Sequence, residues 1–216
     1  MIIKDYSVSQ EDFTLVYDSV LKLYRTTPLP NDLKKYYESE DYISHTDSRR
    51  TLFDKLTFCL LFDKLYQWVK NYNLKHKIKL IKQYKKGNVR LLDIGAGTGD
   101  FVRSGKEYTH WETMGIEPSE KARTKAKEKG VLLQADFSNL LPHSFDVITM
   151  WHVLEHVPDV TQEIQLISNL LKEDGLAVIA VPNYRSWDAQ HYGAYWAAYD
   201  VPRHLWHFSK DSIEQI

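Results

Sequence analysis

The stretch Val89–Asp100, VRLLDIGAGTGD, decides how this chain is read. Val89 to Ile94 form an apolar run that predicts a buried strand, and Gly95, Gly97 and Gly99 follow at every second position. Glycine has no Cβ, so a turn built on it takes positive φ and brings backbone close to a ligand. A strand that runs into such a turn and then a helix opens a nucleotide-binding βα unit. Two residues choose the nucleotide. The dinucleotide pattern G-x-G-x-x-G needs a glycine at position 100, where this chain has Asp100. Asp93 stands two residues ahead of the first glycine, at the carboxyl end of the strand. Two carboxylates there would repel a pyrophosphate and attract a cationic ligand in a partly dry site.

The segments that follow keep the same rhythm. WETMGIEPS, 111–119, predicts a second strand ending in Glu117, twenty-two residues beyond Gly95. An acidic residue at that point accepts hydrogen bonds from ribose hydroxyls. Pro118 stops the strand, and Ser119 caps a helix that Gly130 closes. VLLQADF, 131–137, predicts a third strand, and SFDVITMWHVLEHVPD, 144–159, a fourth with its exit. A helix over 160–173 and the strand LAVIAVPN, 176–183, complete the series. Strands alternating with helices predict an α/β, doubly wound parallel sheet with ligand at the carboxyl ends of its strands.

Asp93, the three glycines and Glu117 together resemble motif I, D-x-G-x-G-x-G, and the next acidic position of the class I S-adenosylmethionine-dependent methyltransferases. The L-E-H-V run after the fourth strand resembles the small-molecule members of that family. The resemblance implies a Rossmann-like fold and S-adenosylmethionine as cofactor, with S-adenosylhomocysteine as product and no metal. It assigns Asp93, Gly95, Ala96, Gly97, Gly99, Glu117 and Pro118 to the cofactor. It places Asp136 at the adenine amino group, with Phe137 over the ring, and sets Met150, Trp151 and His152 beside the reactive centre. Glu155 and His156 are expected to brace the turn. Methyl transfer needs alignment, exclusion of water and, for some acceptors, a general base. His152, His204 and His207 are the candidate bases, because imidazole titrates near neutral pH. No Asn-Pro-Pro-Tyr or Pro-Cys motif follows the fourth strand, which argues against a DNA base as acceptor, and the aromatic segments 36–47 and 184–208 favour a small-molecule or lipid-like one. The competing readings are a non-catalytic protein that kept the fold and a nicotinamide or flavin oxidoreductase, which Asp93 and Asp100 disfavour.

The 216 residues suit one domain with an appendage, and a 43% apolar share suffices for a core. A net charge of −1 gives no footprint for nucleic acid. The single cysteine, Cys59, fits a reducing compartment, and no apolar run reaches the ~20 residues that span a membrane, so a cytoplasmic location is expected. Alternation over residues 2–24 predicts a β-hairpin, ended by the TTPLP run at 26–30. This hairpin resembles the N-terminal zinc ribbon of some bacterial methyltransferases, with Asp18 and Leu21 in place of its second cysteine pair. Zinc needs four donors in a tetrahedron, so a metal-free remnant is expected.

Residues 31–86 predict helices. Asn31 or Asp32 caps a short one, and Ser48 a longer one with Leu52, Leu56, Cys59, Leu60, Leu65, Trp68 and Val69 inward. Another carries Leu74, Ile78, Ile81 and Tyr84, while its many lysines mark a solvated face. The aromatic segments 36–47, with Tyr37, Tyr42, Ser44 and His45, and 184–208 are expected to close over the cofactor. Ser209 caps a last helix, and the resemblance implies two further strands, so the fold is expected to be incomplete at its C-terminus. The expected division is a hairpin over 1–30, a helical lead-in over 31–86 and the cofactor-binding domain over 87–216.

Overall fold

The computed structural model describes residues 1–37 and 58–216, and only the backbone of residue 34 and residues 58–63. In chain order the elements are β1 (Ile2–Lys4), β2 (Asp12–Asp18), β3 (Leu23–Thr27), α1 (Lys34–Tyr37), α2 (Phe58–Tyr84), β4 (Arg90–Ile94), α3 (Asp100–Thr109), β5 (Glu112–Ile116), α4 (Glu120–Glu128), β6 (Phe145–Trp151), α5 (Val160–Leu170), β7 (Leu171–Ala180), α6 (Trp187–Tyr192), β8 (Trp206–His207) and α7 (Lys210–Gln215). They fall into two compact units that alternate along the chain. One takes Met1–His45, Met150–Leu166 and Ile179–Ile216, and the other Thr46–Thr149 and Ile167–Val178. Among the described residues, no helix is long and apolar enough to cross a membrane.

The unit that holds the glycine turn is built on a sheet of order β5-β4-β6-β7. β4 and β5 pair in parallel, from Arg90↔Glu112 to Ile94↔Ile116. Leu91, Leu92 and Ile94 of β4 and Val147 and Ile148 of β6 are buried, as the apolar runs predict. α4 begins where Ser119 Oγ accepts the Ala122 N–H and is followed by Gly130 at a φ of 78°.

Three expectations for this unit change. Residues 131–137 do not form a full strand. A single bridge, Ile116↔Gln134, joins them to β5 through two backbone hydrogen bonds of 2.9 Å. Helix α5 stops at Leu170 and β7 starts at once, so Gly175 lies inside the strand span. The preceding residues crowd that glycine, because a Cβ on Gly175 would come within 2.8 Å of the Leu171 side chain and the Lys172 carbonyl oxygen. Finally, the helices expected on either side of residues 70–73 are one helix, α2. No glycine or proline interrupts Phe58–Tyr84, so nothing breaks its ladder. Among its described side chains Leu74, Ile78 and Ile81 are the buried apolar ones, while Leu65, Trp68, Val69 and Tyr84 face outward and Trp68 stacks on Tyr72 at 5.9 Å; the side chains of Cys59 and Leu60 lie outside the description. Leu52, Leu56, Tyr42, Ser44, His45 and Ser48 lie outside the described residues.

The other unit carries an antiparallel sheet of order β1-β2-β3-β8. The hairpin expected over 2–24 is thus part of a larger sheet. β2 pairs with β1 (Ile2↔Thr14) and with β3 (Thr14↔Thr27), and β8 adds to β3 (Tyr24↔His207). The alternation is visible in burial: Ile3, Phe13 and Leu15 point into a core shared with Tyr36, Tyr199 and Val201. Asp18 accepts the Val20 and Leu21 N–H groups at 2.9 and 3.0 Å, so a carboxylate closes that turn. The segment 184–208 is not one long loop. It holds α6, short 3₁₀ turns and β8, and Tyr199, Val201, Arg203, Leu205 and Phe208 are buried. Arg203 binds Asp200 through Nε (3.0 Å), Ser7 Oγ through Nη2 (2.6 Å) and the Tyr36 carbonyl through Nη1 (3.2 Å). The last helix has the expected Ser209 cap.

Candidate functional site

The chain leaves β4 through Gly95, Gly97 and Gly99, at φ of 70°, 55° and 74°. These are left-handed values that a side chain resists. The turn is pinned to β5, because the Ala96 N–H donates to the Ile116 carbonyl at 2.8 Å. Glu117, just past β5, spans the turn. Its Oε2 accepts the Gly97 N–H at 2.8 Å and its Oε1 the Ser119 N–H at 2.9 Å. A Cβ on Gly99 would meet Val131 Cγ1 at 2.8 Å, whereas Gly97 has nothing described within 4 Å. Packing therefore requires glycine at 99, while the backbone over Gly97 is open to a ligand.

Asp93 is 3% exposed, and Thr149 Oγ1 donates to its Oδ1 at 2.6 Å. Burial drives its carboxyl up to about 7, with Glu117 pushing the same way and Thr149 and the Lys77 charge opposing. Burial in turn pulls Lys77 down, against the attraction of Asp93. Sequence reasoning missed both partners. Lys77 was hidden among lysines of a solvated face, yet its place beside Ile78 on the buried stripe was a usable clue. Thr149 is the polar residue in the apolar run Val147–Met150.

Asp100 departs from its expected part. Burial raises its carboxyl, but hydrogen bonds from Lys70 (2.8 Å) and Thr98 (2.8 Å) and the Lys129 charge (3.2 Å) outweigh this and hold it low. Its charge is matched inside the protein and is not spare for a cationic ligand. Asp136 is exposed and accepts the Ser138 N–H at 2.9 Å, Phe137 is half-buried, and the exposed Pro118 gives its carbonyl to Arg123 at 2.7 Å.

In the other unit Met150 is buried and Trp151 half-buried at the end of β6. His152 follows at a φ of 59°, its N–H donating to the Ala180 carbonyl at 2.9 Å. Its ring is exposed, with Nδ1 3.5 Å from Glu155 Oε1. His204 and His207 do not share the face of a helical turn, because the chain there runs extended into β8. His204 Nδ1 meets the Ala198 carbonyl at 2.9 Å, and His207 Nε2 meets Thr26 Oγ1 at 2.9 Å in the sheet core. Burial, helped by His156, lowers His204 to about 4, and burial, helped by His204, lowers His207 to about 3. Rings so disfavoured as cations are poor proton acceptors at neutral pH. His204 instead lies against His156, centroids 4.6 Å apart.

Comparison with known proteins adds a family to this geometry. A family model described as a methyltransferase domain matches residues 62–216. A ubiquinone biosynthesis O-methyltransferase of Aeromonas salmonicida is 36% identical over 104 residues, 44% of this chain and 43% of that protein. The match thus spans less than half the length of that curated relative. A SAM-dependent methyltransferase of Archaeoglobus fulgidus superposes with a TM-score of 0.54 at 22% identity, over 73% of this chain and 71% of that one. A Thermotoga maritima SAM-dependent methyltransferase, described as a possible histamine N-methyltransferase, gives 0.52 at 21%, over 73% of each chain. At these identities the two structures establish the fold, a Rossmann-like α/β one.

Proposed function

This chain belongs to the methyltransferase-domain family, and from that premise we propose that it moves a methyl group from S-adenosylmethionine to an oxygen of a small or lipid-like acceptor. The observation that carries the reading is the open backbone at Gly97, braced by Glu117 and set beside the buried carboxyl of Asp93. That donor set fits the cofactor. Carboxyl groups suit its ammonium, sulfonium and ribose hydroxyls, and glycine backbone allows close approach. When bound, S-adenosylmethionine supplies an electrophilic methyl group. In this reading Glu117 exchanges its hold on Gly97 for the ribose hydroxyls, Asp93 meets the cationic end, and Asp136 and Phe137 meet the adenine. His152, the exposed member of the three candidate histidines, takes the acceptor proton, and the matched relatives' names support oxygen as the accepting atom.

The reading is tested by calorimetry on the purified chain with S-adenosylhomocysteine and with NAD⁺. Saturable binding of the first alone is expected. NAD⁺ binding without a response to S-adenosylhomocysteine would end it.

A further inference from the structure

The antiparallel sheet borders a cleft that the cofactor reading leaves unused. Its volume is about 320 Å³, and it is lined by Ile3–Ser7, in β1 and the turn after it, and by residues of the run 194–201. That size is at the lower end of the range for small-molecule sites, about 300–1,000 Å³. Both walls belong to one unit, and Ile3–Ser7 lie outside the residues 62–216 that the family model matches. None of the lining residues is among those assigned to the cofactor or to the acceptor's proton.

Alternation along β1 sets the floor. Ile3 and Asp5 are each 2% exposed, and the buried Tyr199 and Val201 complete the base. Hydrogen bonds tie the two walls together. Ser7 Oγ donates to Asp5 Oδ1 at 2.8 Å and accepts Arg203 Nη2 at 2.6 Å, and Arg203 Nε donates to Asp200 at 3.0 Å. The cleft is therefore preformed, as ligand sites usually are. At its mouth the rings of Tyr6 and Tyr195 stand 5.8 Å apart with 33° between their planes, yet they are 56% and 75% exposed. Trp196 packs edge-on against Tyr199 at 5.1 Å. Rings as exposed as Tyr6 and Tyr195 contribute little to a core. They offer flat apolar surface and a polar tip to a visiting ring.

The acidic charges of the cleft are matched internally. Asp5 accepts the N–H groups of Ser7, Val8 and Ser9 and both serine hydroxyls. Burial raises its carboxyl, but the hydrogen bonds from Ser9 and Ser7 outweigh this and hold it low. Asp200 is held by the Arg203 guanidinium. Lys4 differs. It lines the cleft, it is exposed, and no ion pair joins it to a described carboxylate, although Asp12 is its cross-strand neighbour. The charge left over for a ligand is thus positive. We propose that this cleft binds a small aromatic carboxylate, with its ring against Tyr6, Tyr195 and Trp196 and its carboxylate at the Lys4 ammonium. The site needs no cofactor and does not depend on the methyltransferase reading.

The test is calorimetric titration of the full chain, without cofactor, with benzoate and, for comparison, benzyl alcohol, benzylamine and acetate. Benzoate is expected to saturate at one equivalent with a dissociation constant of about a millimolar. It should bind at least about fivefold more tightly than benzyl alcohol or benzylamine, as one partly exposed ion pair allows, and acetate should not bind. Lys4→Gln should erase the preference for benzoate over benzyl alcohol, and Lys4→Arg should keep it. Tyr195→Ala, at a position too exposed to matter for folding, should weaken both ring ligands at least about threefold. Absence of saturable benzoate binding would overturn the site, as would tighter binding of benzylamine. Benzoate affinity unaltered in Lys4→Gln or in Tyr195→Ala would place the ligand elsewhere and overturn it too. No cofactor is present in the titration, so its failure leaves the cofactor turn untouched, and S-adenosylhomocysteine binding is judged separately.

Discussion

Asp93 shows how far one side chain's chemistry departs from what its letter suggests. An aspartate at that position reads as a charge, yet its burial lifts the carboxyl to about 7. Two outcomes follow. A cationic ligand binds the ionised form, so S-adenosylmethionine should bind more tightly as pH rises from 6 to 8 in the native chain, and Asp93→Asn should flatten that profile. Without ligand, the folded carboxyl holds its proton up to about 7 while the unfolded one releases it near 3.8. The folded state therefore binds more protons in that window, and stability falls as pH rises through it. Asp93→Asn should remove this loss, worth up to about 4 kcal/mol at ~1.4 kcal/mol per pK unit. Urea unfolding at pH 5 and pH 8 checks it, and an equal gap between the two proteins at both values would contradict it. Glu117→Ala should weaken S-adenosylhomocysteine by about 1.5–3 kcal/mol, as for a hydrogen bond to a charged group. Calorimetry showing an unchanged dissociation constant would free Glu117 of its proposed ribose contact. Asp93 and Glu117 were legible because their places depend on strand ends and glycine spacing. Neither Asp100's two lysines nor the burial of His204 and His207 could be read, since both depend on residues far along the chain.

At the scale of elements, the glycine turn separates two uses of one residue type. Gly97→Ala and Gly99→Ala both force a left-handed φ on alanine, at a cost of about 1–2 kcal/mol. Only the second also drives a Cβ into Val131. Gly99→Ala should therefore lower the urea midpoint more, while Gly97→Ala should cost more of its binding energy for S-adenosylhomocysteine. Reversed rankings would mean that the open backbone is not where the ligand lies. The same scale shows where periodicity fails. Of the stripe Leu74, Ile78, Ile81 and Tyr84, the first three pack inward as read, while Tyr84 at the helix end is exposed. Leu65, Trp68 and Val69 carry the same spacing and face outward, because a helical period reports one face and not what covers it. The strand expected at 131–137 fell to one bridge for a related reason: β-propensity reports fitness for a pleated surface, and pairing is set by the neighbour.

On the scale of the molecule, the α/β order was legible because each strand and helix is written locally. The division of the chain into units was not. Residues 1–30 were read as an appendage, but the first residues share a compact unit with Ile179–Ile216. That grouping rests on β3 meeting β8 and on Arg203 meeting Ser7 and Tyr36, pairings that leave no trace in local composition. Arg203→Met tests their weight. It removes a buried cation while leaving Asp200, Ser7 and Tyr36 without their donor, so the thermal midpoint should fall, by the equivalent of about 3 kcal/mol or more. A midpoint unchanged within error would show that the apolar core of this unit stands without it.

The pairing of β3 with β8 also has a bearing on synthesis. Thr26 bonds a histidine 181 residues further along. A ribosome adding about 5–20 residues per second leaves the outer edge of β3 uncovered for roughly ten seconds or longer before His207 emerges. During that time the nascent chain offers a free row of amide and carbonyl groups, an invitation to pair with a neighbouring nascent chain or to be shielded by a chaperone.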